Sequence, residues 1–171
     1  TPEGYRRLSR LIARARMEAG EKDRVDYPPL DEVARELEGE CFFLVGPEAL
    51  AEIDNLLERI KIDSIVLEYS CSMSPEDADR HRFLDKYNNL RAIATARPAA
   101  ATRDQARLAA AKRALARRES LAAAAPHAHP MGAGWLRSGE QMAQLLPDRP
   151  ELIAETVALA RECSFTWDAL A

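Results

Sequence analysis

Apolar positions along this chain follow two alternating rhythms, and their alternation predicts an α/β fold. The helical rhythm comes first. In "TPEGYRRLSRLIARARMEAG", Tyr5, Leu8, Leu11, Ile12 and Ala15 share one face of a helix, and Arg6, Arg10 and Arg14 share another. Thr1 suits the N-cap, Pro2 the first helical position and Gly20 the stop. "EKDRVDYPP" reads as loop because Pro28-Pro29 excludes helix, and "LDEVARELEG" as a short helix stopped at Gly39. The rhythm then breaks. "CFFLVG" is a continuous apolar run, which predicts a strand buried on both faces.

Helical spacing returns in "PEALAEIDNLLERI" through Leu50, Ile53, Leu56, Leu57 and Ile60, and "SIVLEYS" gives the second strand. "SPEDADRHRFLDKYNN" opens a helix with a Ser74–Asp77 capping box and Pro75 at its first position. "AIATA" is the third strand, and "TRDQARLAAAKRALARR" an Ala-rich helix. Strands that alternate with helices pair in parallel through right-handed crossovers. Three such units do not close a barrel, so the expectation is parallel strands with flanking helices, either as a partial (β/α) barrel, one side of a larger one, or as an open sheet.

After Ser120 the pattern changes. "LAAAAPHAHPMGAG" is low in complexity and reads as loop. A helical tail follows. "LRSGEQMAQLL" starts on a Ser138–Gln141 capping box, and "PDRPELIAETVALARECSF" carries a stripe of Leu152, Ile153, Thr156, Val157 and Ala160. No fixed-period repeat is present.

Composition narrows this picture modestly. The chain has 171 residues, 47% apolar and 30% charged, which fits one domain or part of a larger one. A net charge of −4 argues against a general polyanion binder and leaves room for a local basic face. Cys41, Cys71 and Cys163 form no CxxC pair, which predicts no disulfide framework and a reducing, cytoplasmic location. The longest apolar run is far short of the ~18 residues a membrane span needs, so no membrane partner is expected. The chain opens on Thr1 instead of methionine and is expected to be an excised piece.

Chemistry is sparse. His127 and His129 make a His-x-His pair, but between prolines in an Ala-rich loop, where an ordinary loop is the expectation. His81 is expected on a helix surface. Glu68 at the end of the second strand could serve as a ligand or base, and the structural alternative is that it caps a helix or pairs with an arginine. Cys71 lacks the positioned base that a nucleophile needs and reads as a small loop or core residue. "GAGWLRSG" is not a phosphate-cradling GxGxxG. The loop after the third strand, where an α/β enzyme usually keeps its ligands, offers only Ala96, Arg97, Pro98, Ala99 and Ala100. Arg103, Arg107, Lys112, Arg113, Arg117 and Arg118 crowd one helix. They could meet nucleic-acid phosphates, or form a solvated face or one that pairs with another domain's acids. No aromatic residues interleave to stack bases.

These segments together carry a family resemblance. "PEGYRRLSRLIARAR" resembles the Gly-Tyr-x-x-Leu-x-x-x-Ile helix of the PHP (polymerase and histidinol phosphatase) domain of bacterial C-family DNA polymerases. "LRSGEQMAQLLPDRPELIAETVALARECSF" resembles the segment leading from that domain to the palm, and "FLVG", "IVLEYS" and "IATA" fall between in the same order. Arg113–Leu121 and "WLRSGEQM" are most similar to the error-prone, damage-inducible type of alpha subunit. The resemblance implies that residues 1–134 are the later part of a PHP-like α/β domain and that residues 135–171 lead toward the polymerase core.

The resemblance also implies a metal site that has lost its donors. Pro47 stands where a metal-binding member has Cys, Ser72 near the place of a ligand His, and Arg97 and Ala99 where an Asp-x-His pair is typical. The family's upstream His-x-His strand is absent from this chain. The expectation is a non-catalytic scaffold with no catalytic residue and no cofactor of its own. It would belong to a parent nucleotidyltransferase that uses magnesium for translesion synthesis and repair of damaged DNA. Expected partners are the palm and thumb of the same polymerase, DNA through that parent, and a sliding clamp or mutagenesis accessory proteins. The alternatives are a PHP-type metallophosphoesterase and a non-enzymatic nucleic-acid or protein adaptor.

Overall fold

A computed structural model of the chain describes residues 1–21, 24–125, 133–163 and 166–170. The chain forms two compact units, Thr1–Val66 with Ala158–Ala171, and Leu67–Val157. Three strands, β1 (Phe43–Val45), β2 (Ile65–Ser70) and β3 (Arg91–Thr95), form one parallel sheet in chain order. The α/β architecture with parallel strands and flanking helices agrees with the sequence pattern, and the sheet is open.

The first unit is built on α1 (Pro2–Glu18), α2 (Leu30–Leu37) and α3 (Ile53–Arg59). The Thr1 hydroxyl accepts from the Gly4 amide at 3.0 Å, with Pro2 in the first turn, so α1 starts where its cap directs. Its inner face is narrower than the spacing predicts. Gly4, Leu11 and Ala15 are buried, whereas Tyr5, Leu8 and Ile12 stay 37–40% exposed. Arg14 holds α1 to α2 through Glu32 at 2.8 Å and Glu36 at 3.2 Å. The predicted helix over "PEALAEIDNLLERI" is shorter than its spacing: a turn of 3₁₀ helix at Leu50–Glu52 precedes α3. The strand in "CFFLVG" is three residues long, and Leu44 is 49% exposed, so it is not buried on both faces. An apolar run shows that a segment avoids water but does not count its packed faces.

In the second unit, β2 is buried at every position except Glu68. α4 (Asp77–Leu84) begins later than its box predicts. The Asp77 carboxylate accepts from the Ser74 amide at 3.2 Å, which is one arm of the box. The Ser74 hydroxyl accepts instead from Glu76 at 3.3 Å, and the segment stays a turn. α5 (Arg103–Arg117) is capped by Thr102 and ends on Arg118 at φ +55, a left-handed position usually taken by glycine. α6 (Leu121–Ala124) packs on it. α7 (Gly139–Leu145) opens on the full Ser138–Gln141 capping box. α8 (Pro150–Glu162) has its first eight residues in this unit and the rest in the first, and Leu152 and Leu159 are buried. Leu159 was outside the predicted stripe, and Val157, inside it, is 47% exposed.

One contact occupies the outer side of β3 at Ala94. The Cys71 amide donates to the Thr95 carbonyl at 2.7 Å, so Thr95 faces β2 and its neighbour Ala94 points its backbone the other way. The Thr156 hydroxyl of α8 meets Ala94 there. It accepts from the Ala94 amide at 3.0 Å and lies 3.2 Å from the Ala94 carbonyl. Further along, the Ala99 and Ala100 amides donate to the Gly134 carbonyl at 2.9 and 3.0 Å, and Ala100 bridges Trp135 in parallel.

Candidate functional site

Each strand runs into a loop at its carboxyl end, the usual place for chemistry in a parallel sheet. Val45, Ser70 and Thr95 end the strands, so Pro47, Ser72 and Arg97 each stand two residues beyond. Pro47 belongs to the first unit and has neither an amide proton nor a side-chain donor. Ser72, Arg97 and Ala99 belong to the second.

Ser72 is engaged locally. Its hydroxyl donates to Asp77 at 2.9 Å, and Arg80 approaches the same carboxylate at 3.4 Å. Arg97 sits at φ +44, and its Nε lies 3.8 Å from Glu68. Glu68 also accepts from the Thr95 hydroxyl. β2 extends to Ser70, so Glu68 lies inside the strand and not at its end, and it takes the arginine pairing that was its structural alternative. Ala99 contributes a methyl group and a backbone tied to Gly134. One hydroxyl, one guanidinium and one methyl do not fit a divalent cation, which needs oxygen, nitrogen or thiolate lone pairs. A guanidinium beside such an ion would repel it. Among the described residues no group of three or more His, Cys, Asp and Glu side chains is placed to hold a metal.

Cys71 is buried, and its thiol is pushed up to about 11, first by burial and then by the Asp77 charge. That agrees with a core residue and not a nucleophile. His81 departs from its expectation as a surface residue. It is half-buried, and Nε2 is 2.9 Å from the Ser70 carbonyl. A carbonyl only accepts, so Nε2 carries the proton. His127 and His129 lie outside the described residues.

The basic residues Arg103, Arg107, Lys112, Arg113 and Arg117 all fall on α5. Arg117 pairs with Glu119 at 3.1 Å. Arg103, Arg107 and Lys112 are exposed.

A cleft of about 440 Å³ in the second unit was not legible in the sequence. Its lining includes Tyr69, Asp85, Arg91, Arg149 and Glu155. Arg149 binds both oxygens of Asp85 at 2.7 and 2.8 Å and lies 5.0 Å over the Tyr69 ring, and the Tyr69 hydroxyl donates to Asp85 at 2.8 Å. Burial raises the Asp85 carboxyl, but the hydrogen bonds from Tyr69 and Arg149 outweigh it and leave the pKa below its ordinary value. Tyr69 is pushed up to about 12, first by burial and then by Asp85. Arg91 pairs with Glu155, so both arginines of the cleft are committed to carboxylates.

Fold and strand ends together define a parallel α/β segment, with Pro47 beyond β1 in the first unit and Ser72, Arg97 and Ala99 beyond β2 and β3 in the second. No protein-family model matches the chain. Curated relatives do. It is 46% identical over 99% of its length to the error-prone DNA polymerase of Corynebacterium glutamicum, and 48% identical over 99% to that of Corynebacterium efficiens. The error-prone DNA polymerase of Mycobacterium tuberculosis is 32% identical over 96% of the chain. The chain spans about a sixth of these relatives, 16% of each. It is thus homologous along its whole length to one segment of error-prone DNA polymerases.

Proposed function

We propose that this chain is a PHP-type segment of an error-prone DNA-directed DNA polymerase, and that it serves that enzyme as a non-catalytic scaffold. The observation that carries the reading is identity of 46–48% over 99% of the chain to proteins of that name. The parent would add deoxynucleotides opposite damaged template. Its magnesium would sit in a palm supplied by other residues, aligning a primer hydroxyl with a nucleotide phosphate. Pro47, Ser72, Arg97 and Ala99 are the positions at which a metal-binding PHP domain would carry donors. The pairing of Arg97 with Glu68 supports their loss, because it commits a strand carboxylate to an internal cation.

Two measurements test this. The whole protein that contains the chain is expected to extend a primer past a template lesion with magnesium. Residues 1–171 alone are expected to purify without stoichiometric manganese or zinc and to leave phosphomonoesters intact. Stoichiometric metal, with turnover abolished by a chelator, would replace the scaffold reading with a phosphoesterase.

A further inference from the structure

α5 presents to solvent a face with two exposed leucines that are not buried among the described residues. Its buried side is made of small residues, with Ala106 and Ala114 fully covered. The opposite side is not simply polar. Leu108 is 54% exposed and Leu115 77%. Seven residues of α-helix bring a side chain back to within about 20° of its starting direction, so the two leucines point the same way. Ala111 lies between them, giving the i, i+3, i+7 spacing of a helix-pairing seam. On the helix surface, Arg107 borders the seam on one side and Lys112 on the other. Both are exposed, and among the described residues neither has a carboxylate within salt-bridge distance.

We propose that this face of α5 docks an amphipathic helix of a protein partner, one with an apolar seam flanked by acidic residues. Charge complementarity selects that occupant. Carboxylates flanking the partner's seam would meet Arg107 and Lys112, as such flanks set partner choice between paired helices. A second copy of this chain fits poorly, because α5 against α5 would set these cations against each other. Nucleic acid would answer the charges but leave the two leucines without an apolar partner, since phosphates contact only the cations. The inference uses only the face of α5, and it stands whether or not the polymerase reading does.

The test uses residues 1–171 and two synthetic helical peptides with the same Leu/Ala seam, one flanked by Glu and one by Lys. Fluorescence anisotropy is expected to show binding of the Glu-flanked peptide only, weakening as salt rises. Leu108→Gln with Leu115→Gln should weaken it by about tenfold or more, as loss of central apolar anchors does. Arg107→Glu with Lys112→Glu should shift preference to the Lys-flanked peptide. All four side chains lie at the surface, and circular dichroism checks that the variants stay folded. Absence of binding, equal binding of both peptides, or indifference to the leucine changes would overturn the proposal. So would tight binding of a short DNA duplex that depends on Arg107 and Lys112 but not on the leucines. Self-association lost with the leucines would overturn it in favour of a dimer.

Discussion

Gly4 lies in the first turn of α1 for want of space. A Cβ built there would come within 2.4 Å of the Glu40 carbonyl oxygen and 2.9 Å of the Cys41 sulfur. Backbone cannot give way as a flexible side chain can, so Gly4→Ala should cost about 1–3 kcal/mol, read as a lower urea midpoint. The glycine was visible in the sequence as part of the Gly-Tyr pattern. Its reason was not, because Glu40 and Cys41 approach from a loop 36 residues on. Tyr69 is a second case. Its phenol titrates near 12, above the ordinary value of about 10, so its contribution to stability is complete below pH ~10 and is lost as pH rises from about 10 to 12. Phenolate absorbance should show a late-titrating component that Tyr69→Phe reduces. An unchanged curve would place the late phenol elsewhere.

At the scale of elements, local signals were legible where a cap is complete. Ser138 and Gln141 exchange both bonds of their box, and α7 starts there. Ser74 and Asp77 exchange only one, and α4 waits until Asp77. Strand ends were readable to within a residue or two, which is why Pro47, Ser72, Arg97 and Ala99 could be located relative to them. The cleft was not readable, because Asp85 and Arg149 meet across 64 residues with no motif to announce the pair. Thr156 had a similar fate. Its spacing places it in an apolar stripe, yet its hydroxyl holds the Ala94 backbone. Ala94 is buried, so Thr156→Val would leave its amide unpaired and should cost about 1–3 kcal/mol by chemical denaturation. A cost near zero would mean that water reaches that amide.

For the whole molecule, charge and composition conveyed less than placement did. A net charge of −4 hides a helix whose exposed cations gather around two leucines. Alternation of strand and helix was enough for the α/β class, because period-2 and period-3.6 patterns cannot satisfy one another's geometry. Division into two compact units was not foreseeable, since the boundary at Leu67 falls inside β2 and leaves no break in composition. The contact of Thr156 with Ala94 has one more effect. Unclaimed amides and carbonyls along a β-strand invite strands from neighbouring molecules, the first step toward fibrils and precipitates. A single hydroxyl on α8 occupies that docking point on β3, so the same side chain that supports folding also blocks recruitment of a foreign strand at Ala94.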